Sequence, residues 1–279
     1  MRKSRLHLSR RIRRRVLTNV WRLCCALSPA KVATFTINSE LDLKIQYPLK
    51  TAIGYALFVG DFETAEMKFV RQLLKPGDVV FDVGANAGIF TVLAGRKVGP
   101  NGRVYAFEPG TEAQALLNTN LSLNRLSNVT LFEGAVSNQT GKAKLAVAED
   151  GALSSLAKTG HHCQIVKEWR AVPTTTLDDF VEKNNIAKID FIKIDVEGAE
   201  KLVFEGAQRL LSSFPRVTIL FEAYDPNAQG FKYSVEELFA FLRKAGLRLS
   251  RFGELGDLVP CDRYEPRFGK EIYNFVAQT

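Results

Sequence analysis

Between Asp78 and Ala94 the chain passes through three kinds of local chemistry in a fixed order. Asp78-Val79-Val80-Phe81 is a short β-branched and aromatic run of the kind that fills a buried strand. Asp82-Val83-Gly84-Ala85-Asn86-Ala87-Gly88 is a glycine turn, and Ile89-Phe90-Thr91-Val92-Leu93-Ala94 reads as a helix. Strand, tight turn and helix in that order build a ligand site in an α/β sheet, because the helix start offers free N–H groups. Gly84 and Gly88 let the backbone come close to whatever binds there. Twenty-odd residues on, Arg103-Val104-Tyr105-Ala106-Phe107-Glu108 is a second strand ending in an acid.

The details of the turn select the ligand. A dinucleotide site wants glycine-x-glycine-x-x-glycine, whereas Asn86 takes the middle glycine position and the third glycine arrives early. Asp82 would repel a pyrophosphate but suits the ammonium of a methionine moiety. Glu108 is placed to hold two ribose hydroxyls. The pattern predicts S-adenosylmethionine as the cofactor, not NAD.

Periodicity extends the architecture. Val32–Ile37 and Leu41–Tyr47 alternate like a hairpin turning at Asn38-Ser39. Asp61 reads as the cap of a helix over Glu63–Leu74, closed by Lys75-Pro76-Gly77. Beyond Glu108 the expected elements are a helix over Ala113–Asn124, strands at Val129–Phe132 and Lys142–Ala148, and a polar loop through His161-His162-Cys163. Val172 begins a short strand or turn. A helix at Leu177–Asn184, a strand at Ile189–Ile194, a helix at Ala199–Leu211, a strand at Val217–Phe221 and a helix at Val235–Ala245 follow. Leu247–Phe252 and Glu271–Ala277, with no helix between them, suggest a final hairpin. The expected fold class is α/β: a seven-stranded, mostly parallel sheet with helices on both faces and one antiparallel edge, the class I (Rossmann-like) methyltransferase arrangement. Residues 1–30 read as a basic tail or amphipathic helix, 31–75 as an N-terminal hairpin and helix, and 76–279 as the S-adenosylmethionine-binding domain.

Charge is unevenly placed. The formal net charge is +8, but residues 1–39 hold ten Lys/Arg and no acids, leaving 28 bases against 30 acids elsewhere. A near-neutral remainder offers no electrostatic footprint, so no nucleic-acid partner is expected. In the tail, Val16, Leu17, Val20, Trp21, Leu23, Cys24 and Leu27 fit a helical stripe after an arginine run. Such a helix suits either peripheral contact with an anionic membrane or a solvated start that caps the domain. Arg22 interrupts the apolar run and argues against a signal peptide, and no run has the length of a transmembrane span. Cys24, Cys25, Cys163 and Cys261 form no Cys-x-x-Cys. They imply neither a zinc site nor a disulfide framework, and fit a reducing, cytoplasmic compartment.

Parallel sheets bind ligands at the carboxyl ends of their strands. Acids stand at nearly all of these ends: Asp82, Glu108, Glu133, Asp195 and Glu222. Capping of the following helices accounts for one or two. Five converging acids suit a sulfonium cofactor that carries an ammonium and a ribose diol. The expected cofactor set is Asp82, Gly84, Ala85, Asn86, Gly88, Glu108, Glu133, Ala135 and Asp195. Lys193 stands inside the 189–194 strand, where a buried ammonium needs a partner, and period-two geometry puts it on the face of Asp195.

Phe81–Gly88, Ala106-Phe107-Glu108-Pro109, Pro173-Thr174-Thr175-Thr176-Leu177-Asp178-Asp179 and Phe191–Glu200 together resemble the FkbM family of S-adenosylmethionine-dependent methyltransferases, over about Glu63–Glu222. The resemblance implies a class I fold and, usually, O-methylation of a hydroxyl on a sugar, polyketide or related secondary metabolite. The implied partner is a small-molecule or glycan acceptor. The resemblance carries the cofactor loop onto Asp82, Gly84, Ala85, Asn86 and Gly88, the ribose acid onto Glu108, and the family's Lys-Ile-Asp-Val-Glu-Gly-Ala-Glu element onto Lys193–Glu200. The sequence departs after Glu222, where Ala223-Tyr224-Asp225-Pro226 replaces the small polar or histidine-containing continuation often seen beside the acceptor.

In-line methyl transfer asks the protein mainly to align acceptor oxygen, methyl carbon and sulfur. An aliphatic hydroxyl also needs a base. Asp195 is the first candidate and Glu222 the second, while Glu197 and Glu200 suit the dipole of the next helix. His161 and His162 sit in the inserted loop, as a lid or simply solvated. No metal is assigned, and Asp195 with Glu222 around a cation such as Mg²⁺ is the minority arrangement. Alternatives are an RNA 2′-O-methyltransferase, which wants a basic face and catalytic lysines, and a cofactor-binding membrane-associated module without turnover.

Overall fold

The computed structural model describes residues 2–27, 31–148, 154–157, 166–214, 216–261 and 263–279. The chain divides into two compact units, Met1–Thr64 and Ala65–Thr279.

In the first unit, α1 (Arg2–Leu27) precedes β1 (Val32–Asn38), β2 (Leu43–Pro48) and α2 (Ala52–Val59). The two strands pair antiparallel, and the Leu41 N–H donates to Asn38 Oδ1 (2.8 Å) to tie the turn. Leu43, Ile45 and Tyr47 alternate inward along β2, as its period-two pattern requires. Helix α2 is not foreshadowed by any amphipathic period, because its residues are almost all apolar. Its ends carry the signal instead: the Thr51 hydroxyl accepts from Gly54 N–H (3.0 Å), and Gly60 stops it in the left-handed region. Asp61 lies 3.5 Å from Arg14, and the helix expected from Glu63 begins at Thr64. Trp21 and Thr18 fasten α1 to this unit, through Trp21 Nε1 donating to Leu49 O (3.0 Å) and a Thr18–Tyr55 hydroxyl pair (2.8 Å).

The helix α3 (Thr64–Leu73) opens the second unit, followed by β3 (Val79–Val83), α4 (Ile89–Val98), β4 (Arg103–Phe107), α5 (Thr111–Leu123) and β5 (Val129–Phe132). Next come β6 (Ala135–Val136), β7 (Gly141–Ala148), β8 (Val166–Thr175), α6 (Leu177–Lys183) and β9 (Phe191–Ile194). The chain ends with α7 (Glu200–Glu205), α8 (Gln208–Ser213), β10 (Thr218–Glu222), α9 (Asp225–Ala228), α10 (Val235–Lys244), β11 (Arg248–Phe252), β12 (Leu258–Pro260) and β13 (Asn274–Gln278). The main sheet has the order β12-β11-β13-β10-β9-β3-β4-β5. Strands β10, β9, β3, β4 and β5 are mutually parallel. The chain therefore winds outward from β3 through β5, returns, and winds the other way from β9. The switch point lies between β3 and β9, which is where a parallel sheet opens a crevice.

Helix α10 shows how sequence writes this packing. Val235, Leu238, Phe239 and Leu242 recur at i, i+3, i+4 and i+7 and are all buried, and Ser234 with Glu237 closes a capping box. Each such side chain contributes on the order of 2 kcal/mol of burial. Phenylalanines fill the centre, with edge-on pairs such as Phe107–Phe180 (4.7 Å) and Phe239–Phe275 (4.9 Å).

Four expectations need correction. The antiparallel strand is not an edge: β13 inserts between β10 and β11, pairing with both. β11 and β13 are not a consecutive hairpin either, since β12 intervenes and pairs on the outer side of β11. The helix expected over 199–211 is two helices, because a Cβ on Gly206 would lie 2.3 Å from Ser137 O and the chain must bend where the glycine nests. The stretch ending at Thr175 is a ten-residue strand, paired with β7 and β6 in a separate three-stranded sheet. Lys167, Glu168 and Arg170 hide its alternation in the sequence.

Candidate functional site

The turn after β3 is built to touch the turn after β9. Gly84 sits at φ 80°, and a Cβ there would lie 1.8 Å from the backbone oxygen of Asp195. Only glycine allows that approach. The N–H groups of Gly84 and Ala85 both donate to Phe107 O (3.0 Å each), which hangs the turn from the end of β4. Asn86 adopts φ 50°, its Oδ1 accepts from the Ala87 N–H (2.7 Å), and Asn120 Nδ2 holds Ala87 O (2.8 Å). Asparagine tolerates this backbone better than most residues, which explains its place in a glycine's position.

Asp82 is buried at the floor of the crevice, 1% exposed. The Thr91 hydroxyl donates to its Oδ2, while Oδ1 has no hydrogen-bond partner among the described residues. Burial pushes the Asp82 carboxyl above the usual range, opposed by the Lys193 ammonium and the Thr91 bonds. Lys193 is itself buried, with Nζ 3.0 Å from Asp195 Oδ2 and 4.9 Å from the centre of the Phe90 ring. Asp195 follows β9, and its N–H donates to Val83 O (3.0 Å). The structure thus gathers Asp82, Gly84, Lys193 and Asp195 at the switch point.

Glu108 lies one strand over. Its Oε2 accepts from the Asn86 N–H (2.8 Å) and its Oε1 from the Gly110 N–H (2.7 Å). Burial raises its carboxyl to about 7 despite those two bonds. The Glu108 N–H donates to Phe132 O (3.1 Å), which sets the exposed Glu133 beside it beyond β5. Ala135 is buried in β6, opposite Thr174. Glu222 ends β10, half-buried and paired in register with Asn274, and the neighbouring register Phe221–Ile194 places it alongside Asp195. His161 and His162, with much of the 149–171 segment, lie outside the described residues.

Glu200 does more than favour a helix dipole. Its Oε1 accepts from the N–H groups of Val196 (3.1 Å) and Gly198 (3.0 Å), and its Oε2 from Tyr233 Oη (3.1 Å). It is a buried clamp on the turn after β9, and burial raises its carboxyl to about 7. Glu197 is bound from outside, with Asn227 Nδ2 on its carboxylate (2.9 Å) and Ser155 Oγ on its carbonyl (2.8 Å). Sequence reasoning missed Thr91, Tyr233, Asn227 and Ser155. Only Thr91, in the first turn after Gly88, stood where the motif could have pointed to it. Asp225 ties the start of α9 to the start of α10, its Oδ1 accepting from the Val235 N–H (3.0 Å).

The set of groups fits the expected cofactor. Asp82 offers a buried, unmatched acceptor to an ammonium, and Glu108 keeps lone pairs for a diol after its two backbone bonds. Among the described residues no group of three or more His, Cys, Asp or Glu is arranged to hold a metal ion.

Comparison with known proteins agrees. A family model described as "Methyltransferase FkbM domain" matches residues 82–249. The chain is 30% identical over 200 residues to the 31-O-demethyl-FK506 methyltransferase FkbM of Streptomyces tacrolimicus, covering 62% of this chain and 74% of that protein. It is 28% identical over 165 residues to the 2-O-methyltransferase NoeI of Sinorhizobium fredii, covering 53% and 67%. A solved structure from Clostridium thermocellum, named for a conjectured rRNA-methylase, superposes with a TM-score of 0.50 at 14% identity, covering 77% of this chain and 94% of that one. That likeness shows the fold, the class I methyltransferase sheet.

Proposed function

The chain belongs to the FkbM-domain methyltransferases and S-adenosylmethionine is its methyl donor; from that premise we propose that it methylates a hydroxyl oxygen of a sugar, glycan or secondary metabolite. The observation that carries this reading is the Asp82–Lys193–Asp195 cluster at the switch point, where donor and acceptor would meet. Two relatives are named for transfer to oxygen, one for a 31-O-demethyl compound and one for a 2-O position, which favours a hydroxyl acceptor.

The bound donor supplies an electrophilic methyl carbon on positive sulfur. In this reading Asp82 faces the donor's ammonium and Glu108 its ribose diol, with Gly84, Ala85, Asn86 and Gly88 supplying the close backbone and Glu133 and Ala135 the remaining wall. Asp195 accepts and orients the acceptor hydroxyl. The Lys193 ammonium, 3.0 Å from Asp195 Oδ2, fixes the direction of that side chain, so that it accepts the acceptor hydroxyl's hydrogen bond and then its proton as the oxygen attacks. Glu222 borders the same space from β10. In this reading residues 76–279 form the donor-binding domain, preceded by the 1–30 helix and the 31–75 hairpin and helix. The Ala65–Thr279 unit carries 26 Lys/Arg against 26 Asp/Glu, a balance that disfavours an RNA acceptor.

Incubation with methyl-labelled donor and a panel of glycans, lipids and hydroxylated small metabolites tests the reading. Label is expected in an alkali-stable ether. Donor binding with label only on nitrogen, or on no acceptor at all, would overturn the assignment.

A further inference from the structure

We propose that the outward face of α1 attaches the protein to an anionic lipid bilayer. This helix has two apolar sides. On one, Trp21 and Thr18 bond within their own unit, and Trp21 meets the Tyr55 ring edge-on at 5.0 Å. On the other, Ile12, Val16, Val20, Leu23 and Leu27 are 42–73% exposed. Successive members are three or four residues apart, so at about 100° per residue they form one stripe. Single exposed apolar side chains mean little. Here, however, five of the nine large exposed apolar side chains among the described residues stand in this stripe.

Charge says what covers it. Arg13, Arg15 and Arg22 are exposed along the same helix, whereas Arg14 turns to Asp61. The unit Met1–Thr64 holds twelve Lys/Arg against four Asp/Glu, so the whole +8 of the chain resides in the unit that carries the stripe. An apolar strip bordered by cations matches acyl chains beneath anionic headgroups. A second copy would set arginine against arginine, and the four-three spacing lasts only about two heptads, short of what a coiled coil needs. A nucleic acid would engage the arginines but leave the stripe in water. No helix among the described residues is long and apolar enough to cross a membrane, which leaves attachment in the plane of the surface.

Co-sedimentation of the full chain with phosphatidylcholine vesicles, alone or with phosphatidylglycerol, tests the proposal. The chain should partition onto the anionic vesicles, weakly onto neutral ones, and be released by high salt. The triple variant Val16→Asp, Val20→Asp, Leu23→Asp should lower partition at least about tenfold, and Arg13→Gln, Arg15→Gln, Arg22→Gln on the order of 100-fold. All six positions are exposed, so an unchanged melting temperature and unchanged donor-binding heat should accompany the loss. Absence of binding, equal binding by wild type and variants, or equal binding to both vesicles overturns it. So does a wild-type dimer that the aspartates dissolve, or RNA binding abolished by the glutamines alone. Donor binding read on the same samples keeps this result separate from the acceptor assignment.

Discussion

Protonating Glu108 should weaken donor binding, and the size of the effect follows from its surroundings. Two backbone N–H bonds favour its anion, yet burial prevails and the carboxyl titrates at about 7. A diol donates to a carboxylate, so the anion is the binding form. With only the anion competent, affinity should rise with pH through neutrality and fall about tenfold, about 1.4 kcal/mol, from pH 8 to pH 6. The probe should be 5′-methylthioadenosine, which has the ribose diol but no amino-acid group to titrate in that window. Calorimetry on the full chain near pH 6, 7 and 8 reads the slope directly. Glu108→Gln should bind weakly throughout and show no slope. A flat wild-type profile, or a slope that survives in Glu108→Gln, refutes the idea that this acid reads the diol.

The remaining expectations concern the turns and the acceptor side. Gly84→Ala forces a Cβ to 1.8 Å from Asp195 O at a left-handed φ, so it should cost at least about 3 kcal/mol and lower the melting temperature by roughly 6–12 °C. A shift within about 2 °C would show that the two turns can part cheaply. Asp195→Asn should keep donor affinity within about tenfold while turnover drops by roughly 100-fold or more; equal losses of both would make Asp195 a donor ligand only. Glu200 has a folded value of about 7 against an ordinary 4.5. The native state therefore holds that proton more tightly, and its share of stability declines as pH rises from about 4.5 to about 7, by at most about 3 kcal/mol. Urea unfolding at the two ends of that window should show the decline, and Glu200→Gln should remove it.

Where one segment carries its own instructions, the sequence could be read. The turn at 84–88 announces itself because glycine spacing and a following apolar helix are local properties, and α10 because its apolar period and capping box are. The strand-end acids were visible for the same reason. Lys193 was legible as a problem, a cation in a strand, and the structure supplies Asp195 as its partner. What could not be read depends on distance along the chain. Tyr233 reaches Glu200 across 33 residues, and neither residue's neighbours hint at the other. Gly206 ends a helix because of Ser137, far upstream. Helix α2 is apolar on every side, so its period is silent and only its caps mark it.

The insertion of β13 has a consequence for synthesis. Strand β10 presents Ile219, Leu220 and Phe221 on a backbone whose outer partner is made some fifty residues later. At bacterial or eukaryotic elongation rates that interval is about 3–10 s. Until that partner arrives β10 carries an open apolar ladder on its outer side, and β11 is not its neighbour in the finished sheet. Chaperones are thus expected to matter most once β10 has left the ribosomal exit tunnel and until β13 pairs with it.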